Sequence, residues 1–303
     1  MKKSQIHILS VLLVCFSYTA TNAQVGSEKA NTVLVEKLQK KEKKKKYKLP
    51  KIDLSHWSVT TPQLNEKGNA TSVEPPEILN YGTNEKLLPY MYNDSTSGAL
   101  VFYSFPSEAT TANTKYSRSE LREQMVPGDN NTNWTFKQGG VMKGEISMED
   151  VSKDSKGKYH KVIIMQIHGR LTNEQRDLIG QKDNNAPPIL KIYWQDGKIR
   201  VKTKILKNLN ASDQELLNED LWDDDKGFTF KQEVGFGRFD LEVKVSEGKM
   251  VVSLNNNEFQ VYENIHMKKW GVFENYFKAG NYFQSRDEGA FARVKFYSLS
   301  VSH

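Results

Sequence analysis

The chain has 303 residues, with 43 Lys+Arg against 37 Asp+Glu and a formal net charge of +6 at pH 7. The surplus is N-terminal: residues 1–51 hold 12 Lys and 3 Glu, and without them 31 basic residues face 34 acidic ones, a net charge of −3. The rest of the chain is therefore mildly acidic, which removes the case for nucleic-acid binding, and no segment after the first 23 residues is long and apolar enough for a membrane span.

At the N-terminus, Lys2 and Lys3 precede an apolar run from Ile6 to Phe16, and Thr21-Asn22-Ala23 supplies small residues before Gln24. This is the layout of a secretory signal peptide over 1–23, and it predicts a secreted, periplasmic or cell-surface protein. The single cysteine, Cys15, lies within the apolar run, and the bulk of Val14 before it argues against lipid attachment. Cleavage after Ala23 leaves a chain without disulfides. Residues 24–51, with Lys43-Lys44-Lys45-Lys46 at their centre, read as a self-repelling, disordered linker. Residues 52–303 have the length of one all-β domain.

Along that domain, short apolar-alternating runs predict strands at 99–105, 116–124, 140–148, 161–168, 189–194, 199–205, 239–245, 250–254, 258–262, 271–284 and 290–301. Turn clusters separate them, including Gly128-Asp129-Asn130-Asn131, Glu247-Gly248 and Asn255-Asn256-Asn257. Asp196-Gly197 between two alternating runs predicts a tight hairpin. Helical periodicity is weak, with 212–219 the best short candidate. The stretches 171–188 and 207–228 do not fit as strands and read as long loops that are either functional lids or disordered. Evenly spaced strands with few helices imply two stacked antiparallel sheets, a sandwich or jelly roll.

Three of these runs carry reactive groups at every second position. Side chains alternate between the faces of a strand, so Arg118, Glu120 and Arg122 share one face, as do Gln166 and His168, and Tyr276, Lys278, Tyr282 and Gln284. Leu121, Met165, Ile167, Phe277 and Phe283 fall on the opposite face and read as core. Gly280 leaves room for a bulge or a close approach, which qualifies the parity of the third run. A face of guanidinium, amide, imidazole, ammonium and phenol groups suits anion binding and proton transfer. An arginine fork grips a carboxylate through two hydrogen bonds. Glu120, between two arginines, reads as their positioner. A phenol is a poor base at its ordinary pKa, and a cation such as Lys278 would favour its ionised form. The bland alternatives are a salt-bridge ladder, a structural histidine and a tyrosine at a strand edge.

The motifs RSELRE (118–123), QIHG (166–169) and YFKAGNYFQ (276–284), in this order, resemble the three signature blocks of the alginate lyases of polysaccharide lyase family seven. DLSHWSVTTP (53–62) is similar to that family's N-terminal block. The resemblance implies a concanavalin A-like β-jelly roll whose concave sheet forms the substrate groove, and β-elimination on mannuronate and guluronate polymers. On it, Arg118 and Gln166 would neutralise the uronate carboxylate and Tyr282 would protonate the departing oxygen. The C5 proton would go to Tyr282 for mannuronate and to His168 for guluronate. Glu120, Arg122, Lys278 and Gln284 complete the candidate substrate-binding set. The chemistry requires no metal or cofactor, Asp223-Asp224-Asp225 reads as a solvated loop in preference to a calcium site, and the expected partner is alginate or its oligosaccharides, bound by a monomer. In this family QIH goes with guluronate-containing substrates and QVH with polymannuronate. Uronate preference and internal versus chain-end attack stay open. A non-catalytic polyuronate-binding jelly roll and a lyase for another polyuronate such as glucuronan are the alternatives. A retaining glycosidase would need two carboxylates on one face, for which Glu145 and Glu149 are the candidates.

Overall fold

The computed structural model describes residues 48–110 and 114–303; the expected signal peptide over 1–23, Cys15 and all but the last four residues of the expected Lys-rich linker lie outside the described residues. Two antiparallel sheets share one core, as in a jelly roll. The first runs through Glu258–Tyr262, Lys249–Leu254, Phe239–Ser246, Gly140–Val151, Ala292–Ser302, Ala99–Ser104 and Met91–Asp94, with Lys51–Ile52 parallel to Ala292–Ser302. The second runs through Trp222–Asp224, Lys198–Leu206, Asn185–Gln195, Val162–Arg170, Glu274–Phe283, Arg118–Glu123, Trp57–Leu64 and Ala70–Val73. Two further strands join the second sheet, Phe228–Glu233 on Lys198–Leu206 and Trp134–Thr135 on Glu274–Phe283. No helix among the described residues is long and apolar enough to cross a membrane.

Period-two alternation decides which face is buried. Leu121, Met165, Ile167, Phe277 and Phe283 are fully buried between the sheets, packed with Trp57, Trp134, Trp194 and Trp270. Burying each large apolar side chain contributes roughly 1.5–3 kcal/mol, so a one-residue slip of any of these strands is strongly disfavoured. Asn281 ties the layers together by donating to the carbonyls of Phe102 and Ala292 in the opposite sheet, at 3.0 and 2.7 Å. The hairpin at Asp196-Gly197 forms with both residues at positive φ, 48° and 79°, the turn that suits the twist of the flanking strands.

The eleven expected strands are all present, 258–262 with the expected ends and the others shifted by a few residues, and the two stretches expected to be loops are partly ordered. Within 171–188, Asn173–Leu178 is helical, and Thr172 and Gln175 cap each other's backbone. The strand that follows starts at Asn185 and runs through Pro187 and Pro188. Proline cannot donate to a ladder, and the register shifts on both sides of Pro188. Within 207–228, Ser212 and Glu215 cap the short helix Asp213–Leu216, inside the expected 212–219. Trp222–Asp224 then pairs with Lys204–Leu206 as an edge strand. Strands without a sequence expectation are mostly short or at edges, such as Ala70–Val73 and Met91–Asp94.

Candidate active site

Register brings the three motifs together. Along Glu274–Phe283, Lys278 lies opposite Arg122, Gly280 opposite Glu120, and Tyr282 opposite Arg118. On the other side of the same strand, Tyr276 lies opposite His168 and Lys278 opposite Gln166. The predicted face is thus assembled from three adjacent strands. The bulge is real: register against Val162–Arg170 shifts between Ala279 and Tyr282, while register against Arg118–Glu123 is unbroken. Gly280 has φ +139°, and a Cβ there would lie 2.7 Å from the Ser119 carbonyl oxygen. The close approach is to the neighbouring backbone, and only glycine fits it.

Two basins open over this face. One, of about 760 Å³, is lined by Arg118, Arg122, His168, Tyr276 and Lys278, with Asp183–Pro188 and Glu219 from the two long stretches at its wall. The other, of about 570 Å³, is lined by Tyr116, Tyr193, Arg200, Lys202, Gln284 and Arg286. Tyr282 bridges them. The Arg118 guanidinium of the first basin lies 3.8 Å from its ring centroid, and Tyr116 of the second packs edge-on at 6.4 Å.

Glu120 is the hub. Its carboxylate, almost fully buried, accepts from Gln166 Nε2 at 2.5 Å, Lys278 Nζ at 2.5 Å and Arg118 Nη1 at 3.2 Å. Burial pushes this carboxyl up, but Lys278, Arg118 and the hydrogen bonds outweigh burial and hold it below the usual carboxylate range. With its oxygens so engaged, Glu120 positions the groups around it. Arg118 keeps a second buried nitrogen, Nη2, without a hydrogen-bond partner among the described residues. A buried, unpaired guanidinium nitrogen beside a cleft suits a ligand carboxylate. Arg122 is steadied by the carbonyls of Glu123 and Asn130 and the Asn133 side chain, and lies over the Tyr276 ring.

The two proton-transfer candidates have opposite tendencies. Burial and the Lys278 cation pull His168 down to about 3, so its imidazole is neutral at pH 7. Its Nδ1 lies 3.0 Å from the Gly169 carbonyl, which can only accept, so Nδ1 carries the proton and Nε2 is left as the basic atom. Tyr276 stacks on this ring at 5.3 Å. Tyr282 goes the other way. Burial raises its pKa more than Arg118 lowers it, so the phenol keeps its proton. The expectation that a cation such as Lys278 would favour the phenolate is corrected here: the relevant cation is Arg118, and desolvation outweighs it. Burial also brings Lys278 down to about 8, with Glu120 opposing the fall.

Other expectations change. Gln284 lines the second basin and donates to the Tyr282 carbonyl at 3.1 Å, apart from the Arg118–Lys278 group. Asp223-Asp224-Asp225 is no solvated loop. Asp224 pairs with Lys191, Lys202 and Lys204, Asp225 accepts from Thr203, and Asp223 pairs with Lys207. Glu145 and Glu149 lie on the other sheet, paired with Arg238 and Lys295, away from the cleft. Lys191, Tyr193, Arg200 and Lys202 join this face without a motif to mark them, although the alternation Lys191-Ile192-Tyr193-Trp194 carries the same period-two signal.

A family model described as alginate lyase matches residues 52–303. The solved structure of alginate lyase A1-II', described as a member of polysaccharide lyase family seven, is 30% identical, with a TM-score of 0.63 over 83% of this chain and 96% of that one. A tyrosine-to-phenylalanine variant of that enzyme in complex with a product described as GGG is 31% identical, with a TM-score of 0.65 and the same coverage. An alginate lyase from Pseudomonas aeruginosa, 22% identical with a TM-score of 0.60 over 83% of this chain and all of that one, shares the fold. No curated protein matches the chain.

Proposed function

The chain belongs to the alginate lyases of polysaccharide lyase family seven, and we propose that it cleaves alginate by β-elimination with Arg118, Gln166, His168 and Tyr282 as its reacting groups. The observation that carries the assignment is the register that sets Arg118, Gln166, His168 and Tyr282 on three adjacent strands around Glu120, with His168 Nε2 left bare, and burial there pulls the imidazole down and pushes the phenol up. Pairs of groups pushed apart in this way mark acid and base roles.

A uronate enters with its carboxylate against Arg118 Nη2 and the Gln166 amide, which Glu120 holds in place. Neutralising that carboxylate acidifies the C5 proton and stabilises the enolate-like charge that develops on its removal. For guluronate, His168 Nε2 takes the proton. The electron pair forms the C4–C5 double bond, the C4–oxygen bond breaks, and the departing oxygen takes the Tyr282 proton. For mannuronate, Tyr282 serves at both steps and must first give up its proton, which burial opposes. Arg122 and Lys278 hold neighbouring carboxylates. A non-catalytic binding module has no use for this acid and base, so the lyase reading is preferred.

Ile167 is fully buried, so any influence of the QIH form on uronate choice acts through the sheet. The presence of Asp183–Pro188 and Glu219, from the two long stretches, in the lining of the first basin supports release of short products from chain ends. We further assign residues 1–23 to export and the mature chain to a monomer. The test is incubation with alginate, polymannuronate, polyguluronate and glucuronan in excess chelator. Ultraviolet absorbance of the unsaturated end is expected on the first three. Reducing ends without that absorbance would mean hydrolysis, and turnover confined to glucuronan would reassign the substrate.

A further inference from the structure

Next to Gln166, on the side away from Lys278, the sheet face turns into a cluster of lysines. Lys191 is the direct cross-strand partner of Gln166, and Lys202 that of Lys191. Two residues along the same strand stands Lys204, opposite Asp224. The inward neighbours Ile192 and Val201 are fully buried, so the three ammonium groups belong to the face that carries the catalytic amide. Asp224 reaches all three: Lys191 at 3.1 Å, Lys204 at 2.9 Å and Lys202 at 3.8 Å. We infer that Lys191, Lys202 and Lys204 form a binding position for a uronate carboxylate beside the catalytic groups, and that Asp224 is a built-in carboxylate whose charge sets its strength. This inference rests on the polyuronate reading above.

Three features separate this from a staple for the edge strand. Backbone pairing already joins Trp222–Asp224 to Lys204–Leu206, yet three cations converge on one carboxylate, a net charge of +2 on a sheet face. The cluster also sits where the basins meet: Lys204 lines the one containing His168, and Lys202 the one containing Tyr116 and Gln284. Lastly, it keeps contact with solvent, with the Lys202 side chain 31% exposed and Asp224 30%. A polyanion with a carboxylate on every sugar meets Arg118 and Gln166 at one residue and this cluster at another. Asp224 subtracts one charge there, which weakens the hold on substrate and product alike. Its own carboxyl is pressed upward by burial but kept below the usual range by Lys191 and Lys204, so it stays ionised under working conditions.

Three variants of the full chain test this: Lys202→Met, Asp224→Asn and, as a charge control on the other sheet, Lys143→Met. Product absorbance gives kcat and KM at several salt concentrations, calorimetry gives affinity for an unsaturated oligouronate, and thermal melting reports folding. Lys202→Met is expected to raise KM and weaken oligouronate affinity about threefold or more, the scale of a partly exposed ion pair, with kcat nearly unchanged and a shallower salt dependence. Asp224→Asn should lower KM by a similar factor, and Lys143→Met should leave all three readouts in place. Wild-type KM, affinity and salt dependence in Lys202→Met would overturn the inference, as would a raised KM in a folded Asp224→Asn. Should Asp224→Asn not fold, Lys202→Met decides alone, because Lys202 is the most distant and most exposed of the three. If the wild-type protein yields no unsaturated product, the lyase reading fails instead, while the affinity comparison still reads the lysine cluster.

Discussion

Two tyrosines separated by six residues face the same cleft, and only one is assigned the proton. Tyr→Phe removes a single hydroxyl and little volume. In Tyr282→Phe the ring keeps its place under the Arg118 guanidinium at 3.8 Å and its edge contact with Tyr116, so the site's shape is retained. What is lost is the acid for the departing oxygen, a contribution of roughly a hundredfold to ten-thousandfold in turnover, or about 3–5 kcal/mol of barrier. Because burial keeps the wild-type phenol protonated through neutral pH, the loss should be nearly constant from about pH 6 to about pH 8. Oligouronate affinity should change far less, since Arg118, Gln166 and Lys278 remain. Tyr276→Phe keeps the stack on His168 and the contact with Arg122, and gives up only its hydroxyl, whose loss costs at most one ordinary hydrogen bond. Such a bond is worth about 0.5–1.5 kcal/mol, so turnover should stay within about tenfold of wild type. The assay is product absorbance for kcat and KM, with calorimetric affinity and a melting curve for each variant. Near-normal turnover in a folded Tyr282→Phe, or an equal collapse in both variants, would refute the assignment.

Lys278 must be cationic to hold a carboxylate, and its pKa of about 8 predicts that kcat/KM falls as pH rises through that value. Glu120 raises that pKa, so in Glu120→Gln the basic limb should move to lower pH by about one unit or more, with a loss of kcat from the released Gln166 amide; an unmoved limb would remove Glu120 from its positioning role. Guluronate-containing substrates should turn over faster than pure polymannuronate, because His168 is already unprotonated and Tyr282 is not; a preference for polymannuronate in initial rates would refute this. Chain recovered from outside the producing cell should begin at Gln24 by intact mass and elute as a monomer; a mass retaining residues 1–23 would contradict the export assignment.

Much of this site is legible in sequence because a strand is a simple ruler. RSELRE, QIHG and YFKAGNYF each sort reactive from apolar side chains by parity, and burial of Leu121, Ile167 and Phe277 enforces the sorting. Parity says nothing about which strands become neighbours. That Gln166 meets Glu120, 46 residues away in sequence, follows from register around Gly280, and no local pattern encodes it. The wall segments escaped for a related reason. Pro187 and Pro188 argue against a strand, yet the irregular pairing there does without the missing donors. The three aspartates read as solvated because their partners, lysines for Asp223 and Asp224 and Thr203 for Asp225, lie up to 33 residues away in sequence and arrive only when the edge strand folds back.

Ionisation is the least legible layer, and the function depends on it. A histidine and a tyrosine have ordinary pKa values near 6.5 and 10, which at neutral pH describe a partly protonated base and a firmly protonated acid. The structure widens that gap by one physical cause, since burial penalises the imidazolium and the phenolate alike. The same desolvation would expel the cations that must neutralise the substrate. Lys278 shows the strain, brought down to about 8, and Glu120 is what keeps it charged at neutral pH. A buried carboxylate among cations thus looks at first like an obstacle to binding an anion, since it cancels charge where charge is wanted. In a desolvated site the alternative is a neutral lysine and a loosely held arginine. Glu120 keeps Lys278 charged and both cations fixed in direction, while the Arg118 nitrogen it does not touch remains for the uronate.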